Sequence, residues 1–282
     1  MPPSNAAPQP VVEHGIDYWN SQPANYDGVL GGFGTGSLPR VDALGSRQFL
    51  MQLIPDLCTV PSSLRPLQPS YPPTKRFRAV DVGAGVGRVT SDVLLHLIHD
   101  VVLVEPVESF IGEAVRRGTA SERDEVLSAD ASTSRWKGIK EKAKSVTFVR
   151  GTLQAFDPSH PRQGTEVLTR IGYAPDEDDM DTKFDVIWCQ WCLGHLSDED
   201  LVAFFKRCKL ALREPMRSVI VVKENLCRDA EDGGPRTSFD ESDSSLTRSD
   251  MAWKKAFADA GLTLLHEQLQ LGFPPGLYDV KM

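Results

Sequence analysis

The sequence predicts an α/β fold, with a doubly wound, mostly parallel sheet and helices on both faces. Three observations predict it. From residue 77 onward, short apolar runs alternate with longer helical patterns, as in consecutive βαβ units. Residues 79–88, AVDVGAGVGR, join an apolar run to a turn with glycines at alternate positions. Residues 101–104 form a second apolar run that ends in Glu105, about one βαβ unit later.

The individual elements follow from the same patterns. We expect strands near 77–82, 101–105, 146–150, 184–189, 217–223, 263–271 and 277–282, and helices near 87–98, 107–117, 198–212 and 249–260. Residues 46–54, SRQFLMQLI, are amphipathic and predict a helix that docks onto the core. Residues 119–145 and 159–183 interrupt the alternation as insertions, and we expect the second to be a solvated loop. The predicted organisation is a disordered tail at 1–14, a helical segment with a proline-rich linker at 15–75, and the core at 76–282.

The glycine turn favours a nucleoside ligand that lacks a phosphate. Dinucleotide-binding turns follow Gly-x-Gly-x-x-Gly and leave a helix N-terminus free for the pyrophosphate. Here Gly83, Gly85 and Gly87 are spaced two apart, and Arg88 follows with a guanidinium that suits a carboxylate. S-adenosylmethionine has a ribose, an adenine and a free amino-acid end, and Glu105 could accept bonds from the ribose hydroxyls. The alternative is a glycine-rich turn that binds no ligand.

Composition excludes several classes of protein. The 282 residues are 40% hydrophobic, enough for one large core with extensions. A net charge of −8 argues against nucleic acid as the main partner and leaves a basic substrate open. The chain has neither a long apolar run nor a signal-peptide pattern at its beginning, and its five cysteines are irregularly spaced. We therefore expect an intracellular protein, in the cytoplasm and also in the nucleus.

Residues 184–200, FDVIWCQWCLGHLSDED, predict a buried strand followed by a capped helix. Between the two lie Gln190, Trp191 and His195, where a cofactor and a substrate would meet. The pair Cys189 and Cys192 has zinc-like spacing, but no second pair accompanies it, so we predict no metal site. His195 could instead be a structural histidine, and Trp191 could be a core residue or the wall of a cleft.

Two further polar segments follow the next strand. VIVVKEN ends at Asn225, at the carboxyl edge of that strand. Residues 238–245, SFDESDSS, are acidic and rich in serine. They are interpreted either as a mobile surface loop or as carboxylates directed into the cleft to hold a cation and accept a proton.

Together these segments carry a family resemblance. The strings YW, DGVLGGFG, DVGAGVGR, FDVIWCQWCLGHLSD, VKEN and FDESDSSLTRSD resemble the eukaryotic protein α-N-terminal methyltransferases, which recognise an N-terminal X-Pro-Lys sequence. The resemblance spans about residues 15–282. It implies a Rossmann-like class I methyltransferase core of seven strands, an N-terminal helical lid, and a hairpin between the fifth strand and the next helix.

The resemblance also implies the residues of the site. The cofactor S-adenosylmethionine, which leaves as S-adenosylhomocysteine, would contact Gly83, Gly85, Arg88, Glu105, Leu153, Gln154 and Gln190. The peptide channel would include Trp19, Leu30, Trp191, Asn225, Asp240, Asp243 and Tyr278. His195 and Asp243 match the proton acceptors. Glu105 departs from the aspartate of several members, the insertions are further departures, and the chain stops soon after Tyr278.

The expected reaction is methyl transfer to the α-amine of X-Pro-Lys protein N-termini. Asp243 and His195 would take the proton that a protonated amine must lose, and Asp240 with Asp243 would pair with the third-position lysine. The resemblance implies ribosomal proteins among the partners, and we expect a monomer. Two alternatives remain: a small-molecule N- or O-methyltransferase, and a catalytically silent regulator of the same fold.

Overall fold

A computed structural model describes residues 8–58, 75–125 and 135–282. Its strands form one mixed sheet of nine. They are β1 Arg78–Val82, β2 Asp100–Glu105, β3 Ser145–Arg150, β4 Glu166–Gly172, β5 Val186–Gln190, β6 Val219–Cys227, β7 Thr237–Asp240, β8 Ser245–Ser249 and β9 Asp279–Lys281. The order is β4-β3-β2-β1-β5-β6-β8-β7, and β9 pairs with β6.

The sheet is mostly parallel, as predicted. Strands β1, β2, β3, β5 and β6 run parallel, whereas β4, β7 and β9 each pair antiparallel with a neighbour. Every residue of β1, β2 and β5 is buried, which matches their apolar runs. The chain passes from β1 to β2 on one side of β1 and crosses from β4 to β5 on the other side, so a crevice opens at the carboxyl ends of β1 and β5.

Helices cover both faces and the crevice. They are α1 Val12–Asn20, α2 Tyr26–Val29, α3 Leu38–Leu53, α4 Leu95–Leu97, α5 Glu108–Arg123, α6 Asp198–Leu210 and α7 Asp250–Asp259, with a π-helical turn at Thr90–Leu94 before α4 and 3₁₀ turns at Pro55–Leu57 and Leu193–His195. The predicted cap of α6 is confirmed, because Ser197 accepts a hydrogen bond from the backbone N–H of Asp200. Acidic residues in its first turn and basic ones in its last suit the helix dipole.

The insertion at 159–183 is more ordered than predicted. It contains β4, which extends the sheet beyond β3. In its acidic run, Asp179 forms ion pairs with Arg78 and Arg170, and Met180 is buried. The expectation of a solvated loop was wrong for this part of the segment because β4 joins the sheet and Asp179 pairs with the buried Arg78 and with Arg170 of β4.

The predicted strand at 263–271 is also wrong. Leu269 forms an isolated bridge to Lys281, and Gln268 and Gln270 bond to the backbone of Met282 and Val280. Since β9 has three residues, it offers this segment a short partner. The predicted hairpin between the fifth core strand and the next helix is confirmed as β7 and β8.

One boundary differs from the prediction, and two predicted segments lie wholly or partly outside the described residues. Helix α1 begins at Val12, inside the predicted tail. The linker at 59–74 and part of the insertion at 119–145 lie outside the described residues. In the described parts of the chain, no helix combines the length and hydrophobicity needed to cross a membrane.

Candidate active site

The glycine turn forms the floor of a cleft at the carboxyl end of β1. Gly83 and Gly85 have φ values of +63° and +56°. A Cβ on Gly83 would lie 2.3 Å from the Cβ of Cys192, so a side chain there would collide with the turn after β5. The turn therefore needs glycine both for its backbone conformation and for the close approach of the 192–195 segment.

Glu105 is fixed by two backbone groups. Its Oε2 accepts a hydrogen bond from the N–H of Gly85 at 2.7 Å, and its Oε1 accepts one from Val107 at 2.9 Å. Burial raises the pKa of Glu105 to about 7, against the opposing effect of these two bonds. Each carboxylate oxygen keeps a lone pair, so the side chain retains the capacity to accept bonds from two ribose hydroxyls.

Arg88 lies where a cofactor carboxylate would need it, but it already has an anionic partner. Its Nη1 donates to Oδ2 of Asp42 on α3 at 2.6 Å. Gln190 also contacts Asp42, through Nε2 at 2.9 Å, while its Oε1 accepts from the indole of Trp188. Both predicted cofactor residues are therefore held in place by a carboxylate that the sequence analysis did not select.

The predicted cofactor residues share one cleft. It is lined by Gly83, Gly85, Arg88, Glu105, Leu153, Gln154 and Gln190, together with Trp19, Trp191, Cys192 and His195. Asp81, at the end of β1, also lines it, and burial raises its pKa to about 6. The lining combines an acid suited to a ribose with a guanidinium suited to a carboxylate, so these residues fit S-adenosylmethionine.

The two predicted proton acceptors come together at α1. His195 ends the 3₁₀ turn after β5, and Asp243 lies in the turn between β7 and β8. A Cβ on Gly15 would lie 3.1 Å from Nδ1 of His195 and 3.4 Å from the backbone oxygen of Asp243, so all three segments pack closely. Among the described residues, Nδ1 of His195 and Oδ1 of Asp243 are buried without a hydrogen-bond partner.

The protonation state and the tautomer of His195 are set by burial and by the hydrogen bond from Trp19. Burial lowers the pKa of the imidazole, although the charge of Asp243 opposes this effect. The indole N–H of Trp19 donates to Nε2 of His195 at 2.9 Å. A neutral ring that accepts at Nε2 carries its proton on Nδ1. In this arrangement the lone pair on Nε2 of His195 is occupied, so the ring can accept a proton there only if the bond from Trp19 breaks.

Two charged residues that the sequence analysis missed hold the His195 turn. Glu224 accepts bonds from the backbone N–H groups of Cys192 and Leu193, and burial raises its pKa to about 7. Arg248 is fully buried and donates to the carbonyls of Leu193 and Leu196. The signal for Glu224 was present in VKEN, where two charges follow an apolar strand.

The remaining predicted peptide residues occupy different surroundings. Trp191 has a positive φ of 54° and lies against the Arg88 guanidinium, 5.4 Å from it, so it is a wall of the cleft. Asn225 pairs with Val280 across β6 and β9, and Tyr278 precedes β9, so these two lie at neighbouring positions. Leu30, Asn225, Asp240, Asp243 and Tyr278 are not among the residues that line the cofactor cleft.

Asp240 and the pair Cys189 and Cys192 are the remaining residues that the sequence analysis singled out. The carboxylate of Asp240 accepts bonds from the backbone and hydroxyl of Ser242, which stabilise the hairpin turn. Cys192 donates to the carbonyl of Val82, and Cys189 is buried in β5. Burial raises the pKa of both thiols, which favours the neutral thiol over a metal-binding thiolate.

The fold and this cleft define a class I S-adenosylmethionine-dependent methyltransferase. A family model described as "AdoMet dependent proline di-methyltransferase" matches residues 7–282. The chain belongs to this family.

Relatives in several eukaryotes agree with this assignment. Alpha N-terminal protein methyltransferase 1 of Schizosaccharomyces pombe is 35% identical over 275 residues, covering 98% of this chain and 95% of the relative. N-terminal Xaa-Pro-Lys N-methyltransferase 1 of Xenopus tropicalis is 31% identical and covers 93% of this chain and 89% of the relative. The solved structure of a SAM-dependent methyltransferase from Leishmania major superposes with a TM-score of 0.63 at 28% identity, covering 96% of this chain and 80% of that one.

Proposed function

We propose that this enzyme transfers methyl groups from S-adenosylmethionine to the exposed α-amine of X-Pro-Lys protein N-termini. The observation that carries the proposal is that His195, which lines the cofactor cleft with Trp19 and is bonded to it, packs beside the turn that contains Asp243. Two relatives whose names specify α-N-terminal or Xaa-Pro-Lys methyltransferase support the same substrate. Bound S-adenosylmethionine supplies an electrophilic methyl group on its sulfonium.

The protein's part of the reaction is to make the amine a nucleophile. An α-amine with a pKa of about 7.7–8.0 is mostly protonated at neutral pH and cannot attack a methyl carbon. Asp243 takes its proton, directly or through a water, while Trp19 keeps the proton of the neutral His195 ring on Nδ1. The neutral amine would then form a bond to the methyl carbon while the carbon–sulfur bond breaks, and the sulfur would leave as the thioether of S-adenosylhomocysteine. Each further round requires one new proton loss, up to dimethylated proline or trimethylated serine.

Substrate selection would use an apolar wall and an acidic hairpin. Proline at the second position has a fixed φ and no N–H, which suits the aromatic surface of Trp191. The third-position lysine would pair with carboxylates of the β7–β8 hairpin, Asp240 at the end of β7 and Asp243 in the turn that follows. Ribosomal proteins that expose this sequence in the cytoplasm or nucleus are the cellular substrates we propose.

Mass spectrometry of three peptides tests the function. A Ser-Pro-Lys peptide incubated with the protein and S-adenosylmethionine should gain methyl groups. The matched Nα-acetyl-Ser-Pro-Lys peptide should gain none, since its lysine amine remains free while its α-amine is blocked. A Ser-Pro-Glu peptide should also gain none, because its anion would face Asp240 and Asp243.

Two results would overturn the proposal. Methylation of the acetylated peptide would identify a lysine side chain as the acceptor. Equal rates on the Ser-Pro-Lys and Ser-Pro-Glu peptides would remove the role of the acidic hairpin and favour a small-molecule methyltransferase.

A further inference from the structure

A buried ionic cluster lies beside the cofactor cleft and joins three distant parts of the chain. Its centre is Asp42 on α3, whose side chain is completely buried. Oδ2 of Asp42 accepts from Arg88 at 2.6 Å, and Oδ1 lies 2.6 Å from Nζ of Lys223 on β6. Lys223 is itself completely buried.

The cluster has more positive than negative charge. Arg88 and Lys223 contribute two cations and Asp42 one carboxylate, which leaves a net charge of +1. The other groups bonded to the cluster are neutral. Nζ of Lys223 donates to the Ser46 hydroxyl at 3.0 Å and to Oε1 of Gln270 at 2.8 Å.

Two more carboxylates act on the cluster from outside it. Asp81 and Asp92 influence it electrostatically, but Asp81 accepts its hydrogen bond from Thr90, and Asp92 accepts one from Tyr26. Burial lowers the pKa of Lys223, although Asp42 opposes this effect. Two buried cations that share one carboxylate are incompletely compensated, and such a site favours a second anion.

We propose that Lys223, acting through Asp42, is a positioning residue for the carboxylate of the cofactor. Because Asp42 also forms an ion pair with Lys223, its single negative charge does not fully neutralise Arg88. Arg88 lines the cleft, and its hydrogen bond within the described residues uses Nη1, which leaves Nε and Nη2 for a second carboxylate. The carboxylate at the amino-acid end of the cofactor then completes a cluster of two cations and two anions.

In this role the cluster selects for ligands that carry the amino-acid end of the cofactor. A ligand that keeps the adenosine but lacks the amino-acid end gains nothing from it. S-adenosylhomocysteine and 5′-methylthioadenosine differ in this respect and share the contacts to Glu105. Their two affinities therefore separate the role of the cluster from the integrity of the rest of the site.

Calorimetric titration of both ligands into three proteins tests the proposal. In Lys223→Met, Asp42 neutralises Arg88, and a bound carboxylate would leave a buried net negative charge. We expect S-adenosylhomocysteine to bind about tenfold more weakly and 5′-methylthioadenosine to bind as in the wild type. Adding Asp42→Asn to Lys223→Met restores a net charge of +1, so affinity for S-adenosylhomocysteine should recover to within about threefold of the wild type.

The alternatives give different results. If Lys223 only holds α3 and β6 together, both ligands should lose affinity equally in Lys223→Met, and the double variant should be worse than the single one. The proposal would be overturned by an equal loss of affinity for both ligands or by a double variant that binds more weakly than the single one. Unchanged affinity for S-adenosylhomocysteine in Lys223→Met would also overturn it. Binding of 5′-methylthioadenosine in the same samples shows that the variants are folded. No peptide substrate is involved, so this test does not depend on the proposed function.

Discussion

The two sides of the cleft are built differently. On the cofactor side, the polar groups are already paired: Glu105 holds two backbone N–H groups, Arg88 holds Asp42, and Gln190 is bonded at both ends of its amide. On the acceptor side, His195 and Asp243 each keep a buried polar atom without a partner among the described residues. The cofactor side is held in place by contacts within the protein and keeps further bonding capacity on Arg88 and Glu105, whereas the acceptor side has buried polar atoms that no contact within the described residues satisfies.

The difference also concerns where the residues come from. Most of the cofactor side is formed by the turn after β1 and the ends of β2 and β5, which are neighbours in one sheet. The acceptor side combines α1, the 3₁₀ turn and the hairpin turn, and its contacts include the bond from the backbone N–H of Val11 to the Ser244 hydroxyl. Changes on the acceptor side should therefore affect turnover, and changes on the cofactor side should affect binding.

The largest expected effect is on the acceptor side. Asp243→Asn keeps the shape of the side chain but removes its charge, so kcat should fall about 10²–10⁴-fold if Asp243 is the general base. Affinity for S-adenosylhomocysteine should stay near the wild-type value. Steady-state kinetics and calorimetry on the same samples measure both quantities. A variant in which KM rises while kcat stays unchanged would make Asp243 a clamp for the substrate lysine.

A smaller effect is expected on the cofactor side. Glu105→Ala should weaken the binding of S-adenosylhomocysteine by about 1.5–3 kcal/mol, the range of hydrogen bonds to a charged group. Calorimetry measures the change, and Asp243→Asn is the control from the other side of the cleft. Unchanged affinity would remove Glu105 from the site and erase the distinction between the two sides.

The smallest effect is a pH dependence of binding. Ribose hydroxyls donate to the ionised form of Glu105, so binding favours loss of the proton that the raised pKa of about 7 retains. Affinity should therefore rise with pH, by at most about tenfold between about pH 6 and about pH 8, and level off above that. If Asp81 pairs with the cofactor ammonium, its ionisation also raises the affinity. Because its pKa is about 6, this rise occurs at a lower pH than that from Glu105. Glu105→Gln should flatten the upper part of the profile; a wild-type affinity that falls with pH would contradict the account.

The sequence predicted the cofactor side better than the acceptor side. A glycine turn and an acid at the end of the next strand are local patterns, so Gly83, Gly85 and Glu105 were found from spacing alone. Asp42 was missed because an acid on the buried face of α3 looks like an ordinary helical residue until its partners are known, Arg88 after β1 and Lys223 on β6. Its position among the buried residues Leu38, Ala43 and Ser46 was the available signal.

The acceptor side depended on the family resemblance. His195 was open to a structural interpretation, and residues 238–245 to that of a mobile loop, since nothing local shows that segments so distant in sequence meet. The strand expected at 263–271 failed for a related reason, because its partner β9 is short. Long-range pairing decides such features, and spacing within a segment does not report it.

The most direct test of the account is the pH dependence of kcat for the wild type and Asp243→Asn on a Ser-Pro-Lys peptide. If Asp243 deprotonates the amine, the loss should be largest near neutral pH and should shrink as the pH passes the amine pKa of about 7.7–8.0, because the neutral nucleophile then forms without help. A loss that stays constant across that range would contradict a role for Asp243 as the proton acceptor.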